Sequence, residues 1–186
     1  AAAELLCGDG SPSGKLSDTF ARRLEDYPST ENFHESDDFV DYTEDIYVGY
    51  RYFETIPGAA ERVNYPFGYG LSYTTFDKTV ENVNWTKSAH EQIAHVTVKG
   101  TNSGKVAGKT NVQIYGQAPY TQYDRDYLVE KSAVQLLNYD ITKVLQPGES
   151  TTMVIDVDLQ NLASYDYMKA KTYIMENSDP YYFAIG

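Results

Sequence analysis

The sequence predicts a mainly β protein, with an immunoglobulin-like β-sandwich over residues 74–186 preceded by an irregular segment over residues 1–73. Three observations carry this expectation. Short runs of alternating apolar and polar residues recur after Thr74, about seven of them, each bounded by turn formers. Tyrosine is abundant at 18 residues, and its ring suits half-buried pleated surfaces. Before Thr74 no such period is sustained, and Pro57, Gly58, Pro66, Gly68 and Gly70 punctuate a looping connector.

The first segment reads as follows. Ala1 to Leu6 looks like the interior of a helix without its cap, and Gly8 ends it. This is the first hint that the chain is a fragment of a larger protein. Asp9 to Gly14 is a turn cluster. Asp18 is expected to cap a short helix over Phe20 to Asp26, closed by Pro28. Ile46 to Phe53 fits a strand, through alternating Ile46, Val48, Tyr50 and Tyr52, nearly as well as a short helix. A connector as long and aromatic as 54–73 is expected to be pinned against something, part of which is missing here.

In the second segment Val80, Val83 and Trp85 mark a first strand. Ile93 to Thr101 is a second, with Ala94, Val96 and Val98 on one face. Thr110 to Gln117 follows, with Val112 and Ile114 together, then Ser132 to Tyr139. Gln146-Pro147-Gly148-Glu149 suits a type II turn. Thr152 to Leu159 alternates, placing Met153, Ile155, Val157 and Leu159 inward. Lys171 to Met175 and Tyr181 to Ile185 complete the set. One long Tyr-rich excursion, 116–131, interrupts the rhythm.

Charge excludes some functions. A formal net charge of −12 offers no basic footprint for a phosphate backbone, so no nucleic-acid partner is expected. An anionic membrane surface is disfavoured for the same reason, and no apolar run of about 18 residues appears. No signal-peptide pattern is visible, which leaves both the bacterial cytoplasm and the exterior open. Cys7 is the single cysteine, so no intramolecular disulfide forms; a small core side chain is expected there rather than a nucleophile.

Candidate chemistry is sparse. His34, His90 and His95 lack partners at metal-ligand spacing. Asp37, Asp38, Asp41, Glu44 and Asp45 lack the spaced pattern of a calcium loop and read as a solvated acidic stretch. Gly108-Lys109-Thr110 ends like a phosphate-binding loop, but Ser103 stands where that loop needs glycine, so a hairpin turn is expected. Asn84-Trp85-Thr86 is a glycosylation sequon within a predicted strand, and we discount it. No metal or cofactor is expected. Tyr120, Tyr123 and Arg125 are candidates for a substrate rim, since aromatic faces stack on pyranose rings and Arg hydrogen-bonds hydroxyls. A loop packed on a neighbouring domain is the preferred competing reading.

Several longer motifs then fall into order. They are Gly8-Asp9-Gly10-Ser11-Pro12-Ser13-Gly14-Lys15-Leu16, the run Tyr42 to Phe53 (YTEDIYVGYRYF), the run Tyr65 to Phe76 (YPFGYGLSYTTF), Thr101 to Gly108 (TNSGKVAG) and Leu145 to Ser150 (LQPGES). Together they resemble the C-terminal portion of family 3 glycoside hydrolases, of β-glucosidase and β-xylosidase type. The resemblance implies that 1–73 is the tail and connector of an α/β sandwich domain and that 74–186 is a fibronectin type III-like domain. It implies retaining hydrolysis of β-linked glucosides or xylosides by the parent, without cofactor. The family's nucleophile is an Asp in a barrel domain, and its acid/base is usually a Glu earlier in the α/β sandwich domain. Neither motif is matched here, so no catalytic residue is assigned. The implied partners are the missing catalytic domains and a β-glucoside or oligosaccharide substrate. A carbohydrate-binding or protein-interaction module without hydrolase activity is the alternative.

Overall fold

Where the chain alternates it forms strands, and where it does not it is held by local turns and side-chain hydrogen bonds. A computed structural model describes residues 2–88, 92–177 and 179–186. Helix α1 (Ala2–Cys7) buries none of its residues and ends at Gly8, whose φ of 81° is a left-handed conformation open to glycine. Cys7 is exposed, not part of a core as the sequence suggested, because the helix that carries it has no buried face.

The helix expected over Phe20 to Asp26 does not form. Phe20–Ala21 is instead a short strand, β1, paired antiparallel with β2 (Val63–Tyr65). Tyr27 holds this stretch extended: its hydroxyl accepts the Ala21 N–H at 2.9 Å and donates to the Thr19 carbonyl at 3.1 Å. Asp18 accepts the neighbouring Thr19 N–H rather than capping a helix. Only Leu24–Asp26 makes a single 3₁₀ turn, and Pro28 opens a second turn, Pro28–Glu31, instead of closing a helix. The ambiguous stretch resolves as helix α2 (Tyr50–Thr55), which buries Phe53.

The remaining strands are β3 (Phe76–Lys87), β4 (Gln92–Asn102), β5 (Asn111–Gln117), β6 (Gln135–Ile141), β7 (Ser150–Asp158), β8 (Ser164–Asp166), β9 (Thr172–Ile174) and β10 (Tyr182–Ile185). A short helix, α3 (Gln122–Tyr127), lies between β5 and β6. One sheet has the order β3-β4-β7 and the other β10-β5-β6, all neighbours antiparallel; β8 and β9 form a separate ribbon. The two three-stranded sheets share one core. Ala94, Val96 and Val98 of β4 and Ile155 and Val157 of β7 meet Val112 and Ile114 of β5, with Leu159 and Leu162 closing the end. Each such Val, Leu or Ile contributes about 1.5–3 kcal/mol by leaving water. The expected inward faces of β4, β5 and β7 are those observed. Gly148, at φ 80°, sits third in the turn after Pro147, as a type II turn requires.

Gly108 pairs with Leu145 through backbone bonds of 3.1 and 2.7 Å, so this segment is a sheet-edge bridge and not a phosphate cradle. His34 is exposed, and His95 lies on the outer sheet face between Thr86 and Asp156; His90 lies outside the described residues.

The two segments are stitched together by polar and aromatic contacts. The N–H groups of Leu136 and Ala133 donate to the Tyr50 hydroxyl and Thr55 Oγ1, each at 2.8 Å. Tyr50 also stacks at 4.6 Å on Phe67, and both rings approach Tyr115 of β5. Asn102 is fully buried and ties four partners: its carbonyl accepts from Thr74 Oγ1 and the Gly104 N–H, and its amide donates to Val106 and Leu145. The TNSG sequence is thereby explained as a structural knot.

Candidate functional site

The excursion 116–131 is anchored by an ion pair that its sequence did not advertise. Thr121 and Asp124 form a capping box at the start of α3. The same Asp124 carboxylate, wholly buried, receives Lys131 Nζ at 2.7 Å, and the Lys131 side chain is only 4% exposed. Lys131 also donates to the Pro119 carbonyl at 3.0 Å and to Glu176 at 3.2 Å. Leu128 then turns the chain through a left-handed conformation, φ 51°, and Val129 is buried. Glu130 therefore sits between two anchored neighbours.

The three rim candidates separate. Tyr123 is engaged from both sides: its hydroxyl donates to Asp166 at 2.6 Å, its ring packs on Tyr127 at 4.6 Å, and Lys169 Nζ lies 5.1 Å from its ring centre. Asp166 is buried and accepts the N–H groups of Met168, Lys169 and Ala170 at 2.9–3.0 Å. Those amides, Lys169's first, and the Tyr123 hydroxyl hold its carboxylate down at about 2. The Asp166 hydrogen bond pushes the Tyr123 phenol up to about 12. Tyr120 and Arg125 are exposed, with the guanidinium 5.7 Å from the Tyr120 ring centre.

Tyr120 faces a cavity of about 770 Å³ that Tyr123 and Arg125 do not line. Its other polar walls are Asp45, Tyr47, Glu130, Tyr165 and Tyr167. Asp45 and Glu130 face the same cavity from the two segments, and burial followed by the Asp45 charge raises Glu130 above the usual carboxylate range. Burial, then Glu130 and Tyr120, raises the Tyr47 phenol as well, against the backbone N–H of Lys131. No sequence signal pairs Asp45 with Glu130, since 85 positions separate them and the connecting contact is tertiary.

This geometry can stack, donate and accept hydrogen bonds. Among the described residues no three His, Cys, Asp or Glu side chains gather as a metal site.

Fold and site define the class: an antiparallel sandwich of fibronectin type III-like form, preceded by an irregular segment. The comparisons supply the family. The model of the glycosyl hydrolase family 3 C-terminal domain matches residues 1–73. Beta-glucosidase A of Butyrivibrio fibrisolvens is 51% identical over 100% of this chain, which spans 23% of that relative. A beta-glucosidase of Ruminococcus albus is 44% identical over 88% of the chain, with 16% of its own length matched. The crystal structure of a beta-glucosidase from Paenibacillus barengoltzii superposes with a TM-score of 0.88 at 42% identity, over 100% of this chain and 19% of that one. A beta-glucosidase from Kluyveromyces marxianus solved with glucose gives 0.82 at 33% identity, over 99% and 21%. The chain belongs to glycosyl hydrolase family 3, as part of its C-terminal region. It thus spans under a quarter of the length of these two curated beta-glucosidases.

Proposed function

We propose that this chain is a non-catalytic portion of a retaining β-glucosidase that hydrolyses terminal β-linked glucosides or xylosides, and that it buttresses the domains that do so. The observation that carries the reading is the 51% identity across the whole chain to a beta-glucosidase of which it spans only 23%. In this reading 1–73 is the C-terminal tail and connector of the α/β sandwich domain, and 74–186 is the fibronectin type III-like module. The partners are the parent's catalytic domains. Exposed Leu6, Leu71 and Tyr73 in the first segment supply apolar surface for them. The excursion contributes to the substrate rim through exposed Tyr120 and Arg125, with Tyr123 locked beneath as their support.

The test compares the purified 186-residue chain with the intact enzyme encoded around it, using aryl β-glucosides and β-xylosides. The intact enzyme should turn over one or both, and the chain alone neither. Turnover by the chain, or none by a folded intact enzyme, overturns the reading.

A further inference from the structure

We propose that the cavity between the Asp45–Tyr47 turn and the Leu128–Glu130 end of the excursion binds a neutral saccharide. The inference rests on the reading of the excursion as a sugar-contacting edge. It moves the contact from the Tyr123 side of that loop to the Tyr120 side.

Size comes first. At about 770 Å³ the cavity falls in the range of small-molecule sites, roughly 300–1,000 Å³. A second cavity of about 510 Å³ adjoins it, with Asp45, Glu130 and Tyr165 as shared walls. Chemistry comes next. Tyr120, Tyr165 and Tyr167 are each about half exposed at the cavity wall, and a half-exposed ring offers a face on which the C–H face of a pyranose can rest. Asp45 and Glu130 both line this wall, and their carboxyl oxygens accept hydrogen bonds from sugar hydroxyls. The pair therefore presents acceptors, and a phenol beside it can both donate and accept, as neighbouring sugar hydroxyls demand. The Tyr47 phenol is such a group.

Other ligand classes fit less well. A divalent metal lacks a third carboxylate or imidazole among the described residues. A purely apolar ligand would strip water from two carboxyls and several phenols without replacing those bonds. The walls are also pre-set: Val129 is buried, and Lys131 is clamped to Asp124 on the other side of Glu130. Little ordering is left to oppose binding.

The experiment titrates the full 186-residue chain with cellotriose and with xylotriose, followed by heat and by NMR shifts, with choline as a cationic arm. Melting curves of each variant check folding. Saturable binding of at least one saccharide, at about millimolar strength, is expected. Tyr120→Ala and Glu130→Ala should each weaken it by about tenfold or more, while Glu130→Gln, which keeps the hydrogen-bonding atoms, should stay within about threefold. Tyr120→Phe, which keeps the ring, should also retain binding and serves if the alanine variant unfolds. Absence of saturable binding by either saccharide overturns the proposal. So does binding that survives both alanine substitutions in folded protein, or binding of choline alone. Failure here with intact aryl-glycoside turnover in the parent removes the cavity and leaves the hydrolase reading standing.

Discussion

The two segments are built on different physics. Between β3 and β10 the chain closes its own core, with Val98, Val112, Ile114 and Val157 fully buried. Before β3, among the described residues, only Phe53 and Ala59 are buried apolar residues, while Leu6 is 86% exposed and Leu71 72%. That first segment is held by polar stitches: Leu16 to Tyr69 through the backbone at 2.8 Å, Ser11 to Ser72 at 2.9 Å, and the Tyr73 hydroxyl to Leu5 at 2.7 Å. A net hydrogen bond contributes about 0.5–1.5 kcal/mol, against about 1.5–3 for each large apolar side chain taken from water. The sandwich is therefore the stable half and the first segment the dependent one. An element rich in open apolar surface and poor in core is suited to lie against a partner.

The largest test breaks the stable half at a charge, not at an apolar contact. Asp124→Ala removes the nearer carboxylate from Lys131, whose side chain is 4% exposed, and leaves it only Glu176 and the Pro119 carbonyl; the loss of one partner from a buried ion pair costs about 3–5 kcal/mol. Chemical denaturation should show a drop of that size. Replacing both partners, as Asp124→Leu with Lys131→Met, should recover much of it. A loss below about 1 kcal/mol in Asp124→Ala would show that the excursion is not anchored as described.

The comparison itself is sharpened by a matched pair. Ile114→Ala empties a fully buried site and should cost about 2–5 kcal/mol. Leu71→Ala removes a side chain of similar size that is mostly in water, and in the isolated chain should change stability by about 0.5 kcal/mol or less. In the intact enzyme the Leu71 effect should grow if that surface meets another domain, and thermal melts of both forms report it. Next in size is Asn102→Ala, which removes the hydrogen bonds that Thr74, Gly104, Val106 and Leu145 make to this buried side chain. About 1–3 kcal/mol is expected, and Asn102→Asp, which keeps the acceptor and loses the amide donors, should fall between.

The same division decides what the sequence made legible. Strands β4, β5 and β7 could be read residue by residue, because a core face imposes a period of two on any chain that covers it. The short helix expected over Phe20 to Asp26 failed because Tyr27 and β2 compete for the same backbone, and neither contact leaves a local signature. Cys7 was placed inside on composition, but its helix has no buried face. At the candidate site, Tyr120 and Arg125 were visible as an aromatic and a cation close in sequence. Asp45 was read as one more acid in a solvated stretch, since Glu130, which faces the same cavity, lies 85 positions further along the chain. Periodic burial is written locally; a carboxyl pair joining distant loops is not.

The smallest expected effect is a pH dependence with two signs. Asp166 is held down at about 2, against an ordinary value of 3.8, by the Lys169 amide, the Tyr123 hydroxyl and the amides of Ala170 and Met168. Its folded value lies below its unfolded one, so its stabilisation is complete above about pH 4 and is lost as pH falls toward 2. Glu130 runs the other way. Its folded value is raised above 4.5 by burial and by Asp45, so its contribution is complete in acid and is lost as pH rises through the raised value. The first loss lies inside the stable half; the second concerns a carboxyl of the excursion that faces Asp45 of the first segment across a cavity. Melting temperatures across pH 2 to 7 should therefore show Asp166→Asn flattening the acid limb and Glu130→Gln flattening the limb above 4.5. An acid limb unchanged in Asp166→Asn would mean that the protons are taken up elsewhere. An upper limb unchanged in Glu130→Gln would mean that the burial of Glu130 beside Asp45 is not coupled to folding.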